Sequence, residues 1–381
     1  MIRVYRGITF ALAAAGLFAA GASAQQSQTI AVETHFMGYS FDEALGPEVA
    51  NLFLMPVAYR MQWSDELTFD LYTAWGRGQV EQNDVVYSLS GLVDSRIKAT
   101  WRAREWASVS MSLSLPTGKA SQDASESLVA SVLSSDLLGF RESSWGTGFG
   151  MTTGVATATR IGEWGLGVGA SFRMAGEFEP VADSSLGYQP GNEIRVRAGL
   201  DRNVGESGKF TTAATWQNFS DDQLDGRNLF QAGSRLSLDA AYAFRAGSST
   251  WTVYAADVWR ENGDLFLDLI DAQGTIVGDT TLATATQNLI IGAVSGSVPI
   301  GSQYQLRPSI DYKLQTREES DGSQTGSGWM AGFGADFPLR LFGAYDFFPM
   351  VKYVTGSIED ATGVMRSVSG FSGTLTMRWS F

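Results

Sequence analysis

Apolar and polar residues alternate one for one along most of this chain. At the carboxy-terminal end Phe371, Leu375, Met377, Trp379 and Phe381 alternate with Ser372, Thr374, Thr376, Arg378 and Ser380. Within 106–115 the series Val109, Met111, Leu113, Leu115 runs against Ser108, Ser110, Ser112, Ser114. A period of two is that of a strand with one apolar and one polar face. The pattern predicts strands at 29–40, 51–63, 66–77, 91–102, 106–115, 149–160, 164–174, 192–202, 209–219, 233–244, 251–260, 288–298, 304–315, 329–337, 347–355 and 370–381. That is about sixteen strands, with twelve to sixteen within the uncertainty of the ends.

The connections alternate in length. Short turns at Ser64-Asp65, Gly162-Glu163, Ala246-Gly247 and Pro299-Ile300-Gly301 are interleaved with long polar loops at 41–50, 79–90, 117–147, 178–191, 220–228, 261–287, 318–328 and 358–369. Short turns on one side and long loops on the other are the asymmetry of a membrane barrel, and both termini fall on the short-turn side. The predicted fold is all-β: one transmembrane antiparallel β-barrel over 25–381, with no second domain.

The amino terminus adds the address. Arg3 and Arg6 precede an apolar run over 8–20, and Ala22-Ser23-Ala24 is a small-x-small cleavage site, so 1–24 is expected to be a removed signal peptide. No later segment reaches the roughly eighteen apolar residues of a membrane helix. The expected location is the outer membrane of a Gram-negative-type cell, with outer-membrane lipids as partners. The final strand resembles the closing strand of bacterial outer-membrane barrels. That resemblance implies that Trp379 and the terminal Phe381 form the signal read by the barrel-assembly machinery.

Composition narrows the chemistry. A net charge of -13 argues against nucleic acid, which needs a basic face. The absence of cysteine excludes a disulfide framework and thiolate sites. Forty-three glycines against nine prolines suit many turns and close strand packing. No metal or cofactor motif stands out, and Asp221-Asp222-x-x-Asp225-Gly226 lacks the spacing of a calcium loop. The one histidine, His35, has no marked serine partner, so no enzyme is expected.

The two faces carry different residues. Phe53, Met55, Val57, Tyr59, Leu166, Val168, Phe172, Tyr304, Leu306, Ile310, Tyr312 and Leu314 belong to the lipid side, with tryptophans such as Trp63, Trp101, Trp164 and Trp251 near strand ends as girdles. Charges cost roughly 2–4 kcal/mol toward lipid at mid-membrane, so the charged parity points inward. The expected pore-lining set is Asp94, Arg96, Lys98, Glu193, Arg195, Arg197, Arg235, Arg307, Asp311 and Lys313. Any one of these is either part of a solute path or a structural ion pair. The long loops are acidic, as at Asp42, Glu43, Glu48, Asp264, Asp268, Asp271, Asp279 and Asp321. Such a rim either binds divalent cations or is simply solvated. In the longest loop Leu128, Val129, Val132, Leu133, Leu137 and Leu138 recur at helical spacing. A helix there either folds into the barrel mouth and narrows it or caps the rim.

Leu113-Ser114-Leu115-Pro116-Thr117-Gly118 and Ser144-Trp145-Gly146-Thr147-Gly148, with the glycine-rich hairpin to Arg173, resemble a family of outer-membrane channels associated with the phenol-degradation meta-pathway. The resemblance implies passage of aromatic or other hydrophobic compounds. The function expected from the sequence is passive uptake of small molecules. A general hydrophilic porin and a non-transporting structural or surface-binding barrel are the alternatives. Deleting Phe381 is expected to lower the amount of heat-modifiable protein in the outer membrane; normal assembly without it would remove the assembly-signal reading.

Overall fold

The computed structural model describes residues 27–381 except 43–45, 143, 271–275, 302–303, 320–325, 342–344 and 361; the predicted signal segment lies outside the described residues. In chain order the elements are β1 (Gln28–Phe41), β2 (Val49–Gln62), β3 (Leu67–Gln82), β4 (Val85–Arg104), β5 (Ala107–Leu115), α1 (Ala124–Leu133), β6 (Gly150–Ile161) and β7 (Trp164–Ala175). There follow β8 (Tyr188–Gln189), β9 (Glu193–Val204), β10 (Gly208–Phe219), β11 (Asp222–Leu224), β12 (Arg227–Gln231), β13 (Arg235–Ala246), β14 (Ser249–Arg260), β15 (Asp264–Ile270) and β16 (Ile276–Ala283). The chain ends with β17 (Thr286–Ile300), β18 (Tyr304–Glu318), β19 (Gly328–Asp336), β20 (Leu339–Leu341), β21 (Tyr345–Glu359) and β22 (Met365–Ser380).

Sixteen strands form a closed antiparallel barrel. Each pairs with the next long strand in sequence, and β22 returns to pair with β1 from Thr29↔Ser380 to Phe41↔Val368. Closure is completed at the end of the chain, where the Gln28 and Phe381 backbones exchange two hydrogen bonds of 2.9 and 3.0 Å. Each of the sixteen predicted strands is present, with ends shifted by a few residues.

Two expectations about loops are corrected. Residues 79–90 are not a long loop. β3 and β4 continue pairing to Gln82↔Val85, and the turn is Asn83-Asp84. Both turn residues have positive φ, 54° and 61°, as a two-residue type I′ hairpin requires. The turn is made by Asn and Asp without glycine, so it reads in sequence as loop polarity. The stretches 178–191, 220–228 and 261–287 are not wholly irregular either. They contribute β8, β11, β12, β15 and β16 to a separate five-stranded sheet at the long-loop end.

The outward parity is apolar and open, as at Val155, Val168, Ile310 and Val351, which are 50–64 % exposed. A soluble protein does not present a continuous band of this kind to water; hydrocarbon is its natural solvent. Trp101, Trp106, Trp164, Trp251 and Trp379 ring the short-turn end, and Trp75, Trp216, Trp259 and Trp329 lie toward the other. Face parity should therefore govern tolerance. Val168→Arg is expected to hamper insertion at a cost of roughly 2–4 kcal/mol, while Ser112→Arg, on the inward face, is expected to be much milder. Similar behaviour of the two in a folding titration would show that the faces are misassigned.

Candidate functional site: a plugged lumen

The lumen is not empty. After β5 the chain turns back into the barrel mouth and returns to the wall only at β6. Its helix, α1, is started by a capping box. The Asp123 carboxylate accepts from the Glu126 amide at 2.9 Å, and the Glu126 carboxylate accepts from the Asp123 amide at 3.2 Å. The Ser125 hydroxyl and the Glu126 amide hold the Asp123 carboxyl below its ordinary range. Val129 and Leu133 from α1, with Leu137, Leu138, Phe140 and Trp145, are buried against inward side chains including Tyr39, Leu52, Leu54, Val80, Leu89, Val93, Val354 and Val368. A fully buried side chain of this size contributes about 1.5–3 kcal/mol. Of the two placements the sequence left open, the structure shows the loop inside the mouth.

The neck of this plug is held by Asp94. The register of β3 against β4 shifts between Tyr72 and Ala74, and Asp94 lies in the shifted stretch of β4. The bulge lets Val93 above it and Arg96 and Lys98 below it all face inward. The Asp94 carboxylate is buried and accepts from the amides of Gly118 at 2.9 Å and Thr147 at 2.7 Å, one from each end of the plug. Its own amide donates to the Trp145 carbonyl at 2.9 Å. The Thr117 hydroxyl receives the Ser95 amide at 2.8 Å. Glycine is required here by close approach: a Cβ on Gly118 would lie 2.7 Å from the Asp94 amide nitrogen, and one on Gly146 would lie 2.8 Å from that of Ala120. The two short motifs that carry the family resemblance are thus the two halves of one clamp. Asp94, expected on the open pore wall, is instead its centre.

Further contacts fix the plug over a wide arc. The Trp145 indole donates to the Gly76 carbonyl at 3.2 Å, the Tyr39 hydroxyl to the Leu138 carbonyl at 3.0 Å, and the Lys313 ammonium to the Leu137 carbonyl at 3.4 Å. Asp136 meets Arg260 at 3.4 Å, and Arg141 pairs with Glu33. The Tyr72 hydroxyl donates to Glu142 at 3.0 Å. Burial raises the Glu142 carboxyl above its ordinary range, and the Tyr72 bond and the Arg96 charge partly offset this.

The remaining expected wall residues all face inward, and most are paired. Arg195 pairs with Glu193 at 2.7 Å, Arg197 with Asp239 at 3.0 Å, Arg307 with Asp336 at 3.8 Å, and Asp311 with Lys352. Arg96 lies over the Tyr72 ring, 5.7 Å from its centroid. Among the described residues Arg96, Lys98, Arg160, Arg173 and Arg235 make no ion pair, and neither do the acids Asp94 and Glu142. His35 faces inward and bonds Thr374 at 2.7 Å. Glu48, Glu81 and Asp84 bring ligand atoms within 4.8 Å of one another at the rim; Glu43, Asp271 and Asp321 lie outside the described residues. The sequence reading missed Asp136, Arg260 and the role of Trp145. Only the position of Trp145 between two glycine-rich turns hinted at it.

Part of the wall away from the plug is made of small side chains. Ser108, Ala156, Ala158, Gly167, Gly169 and Gly199 line a cavity of about 470 Å³, and Ala158, Gly167, Gly199 and Arg197 also border an adjoining one of about 350 Å³.

A closed barrel, apolar outside, charged inside and partly filled by its own loop, is a transmembrane β-barrel of channel-like build. No protein-family model matches the chain, and no curated protein sequence does. Similar solved structures include Pseudomonas aeruginosa OprD, at 8 % identity over 94 % of this chain and 95 % of that one, with a TM-score of 0.48. Another is the deltaS2 mutant of the TodX monoaromatic hydrocarbon channel, at 10 % identity over 94 % and 91 %, with a TM-score of 0.47. A third is an outer-membrane channel from Pseudomonas putida F1, at 10 % identity over 94 % and 97 %, with a TM-score of 0.38.

Removing the clamp should free the plug. Asp94→Ala leaves two amides without their acceptor, each worth about 1–3 kcal/mol if still buried. The expected result in planar bilayers is a larger, noisier conductance than that of the wild type. An unchanged conductance in a folded variant would mean that Asp94 does not hold the plug in place.

Proposed function

We propose that this chain, freed of residues 1–24, lies in an outer membrane and passes small solutes passively, with no chemistry at the site. The asymmetry of the lumen carries the reading. The plug packs on the walls of β1–β4, β17, β19, β21 and β22, while β5, β6, β7 and β9 present small residues such as Ser108, Ala156, Gly167 and Gly199 to open space. A barrel meant only as a wall or scaffold gains nothing from that clearance. A general hydrophilic porin fits less well, because an apolar core of this size across the mouth narrows the path.

Selection is by width and by charge. Arg96, Lys98, Arg160 and Arg173, which make no ion pair among the described residues, act inside a low-dielectric wall that focuses their field, whereas the acidic rim is screened over about 8 Å at physiological salt. The proposed channel therefore has a mild anion preference. Changing Arg195 and Arg197 to Ser should abolish it, because Glu193 and Asp239 would then stand unpaired. Reversal potentials under a salt gradient decide this: a cation-selective wild type, or a double variant with an unchanged reversal potential, would refute it.

A further inference from the structure

The mouth of the lumen contains a row of cations that the proposed passage does not by itself require. Following the strand register, Arg195 on β9 lies opposite Gln217 on β10, and Gln217 opposite Arg235 on β13. Arg235 lies opposite Arg260 on β14, Arg260 opposite Gln287 on β17, and Gln287 opposite Arg317 on β18. All six are on the inward parity, so they form one lateral collar at the long-loop end, with neighbours about 4.8 Å apart along the sheet. The collar holds four arginines, two glutamines and no acid.

Most of the collar has partners. Arg195 is held by Glu193, and Gln217 donates to Glu193 at 2.9 Å. Arg260 and Gln287 both reach the plug's Asp136 at 3.4 Å. Arg317 meets Glu319 at 3.3 Å. Arg235 is the exception: it makes no ion pair among the described residues, and its Nε is buried without a hydrogen-bond partner. It is also directly opposite Arg260, and like charges directly opposite on a sheet are destabilising. Asp136 and Glu193 act on Arg235 only from beyond ion-pair distance, and a guanidinium with no ion pair of its own beside a second one is the arrangement that a bound anion relieves.

The space in front of these groups has the right form. Arg235, Arg260, Arg317 and Gln287 line a cavity of about 470 Å³ that is also bordered by Phe219 and Phe230 and by one acid, Glu261. Guanidinium forks match a carboxylate in two-point geometry, and Asp136 shows the collar already accepting one at Arg260 and Gln287. Phe219 at the end of β10 and Phe230 on β12 supply apolar faces for the rest of a ligand. We propose that this collar is a capture site for a small organic carboxylate with an apolar, ring-sized body, held at Arg235 before it enters the lumen. The proposal rests on the channel reading for its purpose and on the collar alone for its binding.

The test uses benzoate and the full mature chain folded in detergent micelles, followed by calorimetry. Saturable benzoate binding is expected. It should weaken at least ten-fold in Arg235→Gln and be absent for benzyl alcohol, which lacks the charge. Phe230→Ala should erase the preference for benzoate over acetate. If Arg235→Gln does not fold by heat-modifiability, Arg260→Gln serves in its place, with the same weakening expected. Equal binding of benzoate and inorganic sulfate would overturn the assignment of an organic carboxylate, and no benzoate binding would overturn the site. Liposome swelling in glycerol is read in parallel. Glycerol entry without benzoate binding removes this inference and leaves the channel, whereas benzoate binding without glycerol entry keeps the site and removes the channel.

Discussion

Hydrocarbon offers no hydrogen bonds, and the rest of this structure follows from that. Every amide and carbonyl within the membrane must be paired along the sheet, and a sheet with an edge cannot meet the condition. The chain meets it by bringing its last strand back to its first, down to the mutual bonds between Gln28 and Phe381. Closure then fixes which parity of each strand touches lipid. It also forces nearly all the membrane-level charge into the lumen, where carboxylates and guanidinium groups lie close enough to pair.

Those pairings and the plug divide the interior. Where the inward parity is apolar, as at Leu52, Leu54, Val80, Leu89 and Val93, the loop after β5 packs against it and the lumen is filled. Where it is serine, glycine or alanine, nothing packs and space is left. The plug is therefore specified from both sides, by its own apolar positions and by a matching apolar sector of the wall. Apolar packing alone leaves the depth of insertion open. The Asp94 carboxylate fixes it by holding Gly118 and Thr147, the two ends of the loop, at one point of the wall.

The strands were legible because lipid on one side and water on the other impose strict alternation. Sixteen strands and their facing could be read from residues such as Val109 to Leu115 with no knowledge of partners. The Asn83-Asp84 turn was not legible, because two non-glycine residues at positive φ look like any polar stretch. Nor was the small outer sheet, whose strands β8 and β11 are two and three residues long and too short to show a period. The charged parity of each strand was legible, but the state of those residues depends on neighbours far away in sequence. Arg197 reaches Asp239 across β10, and Asp94 meets amides from residues 118 and 147. Only the register brings these together.

The same register explains why the collar carries more information than a count of charges. Arg235 and Arg260 are separated by a hairpin whose two arms must pair, so their juxtaposition is a direct consequence of strand length and turn position. A shift of one residue in either arm would point one of them at the lipid; a shift of two would move it one step along the lumen and away from the other. The fold thus holds two guanidinium groups side by side and brings Asp136 within ion-pair distance of only one of them. Asp136 belongs to the plug and not to the wall, so the charge balance at the mouth depends on the plug being seated. Any movement of residues 117–147 away from the wall would expose Arg260 as well as Arg235. In this architecture the path's width and its attraction for anions are therefore set together, by one loop.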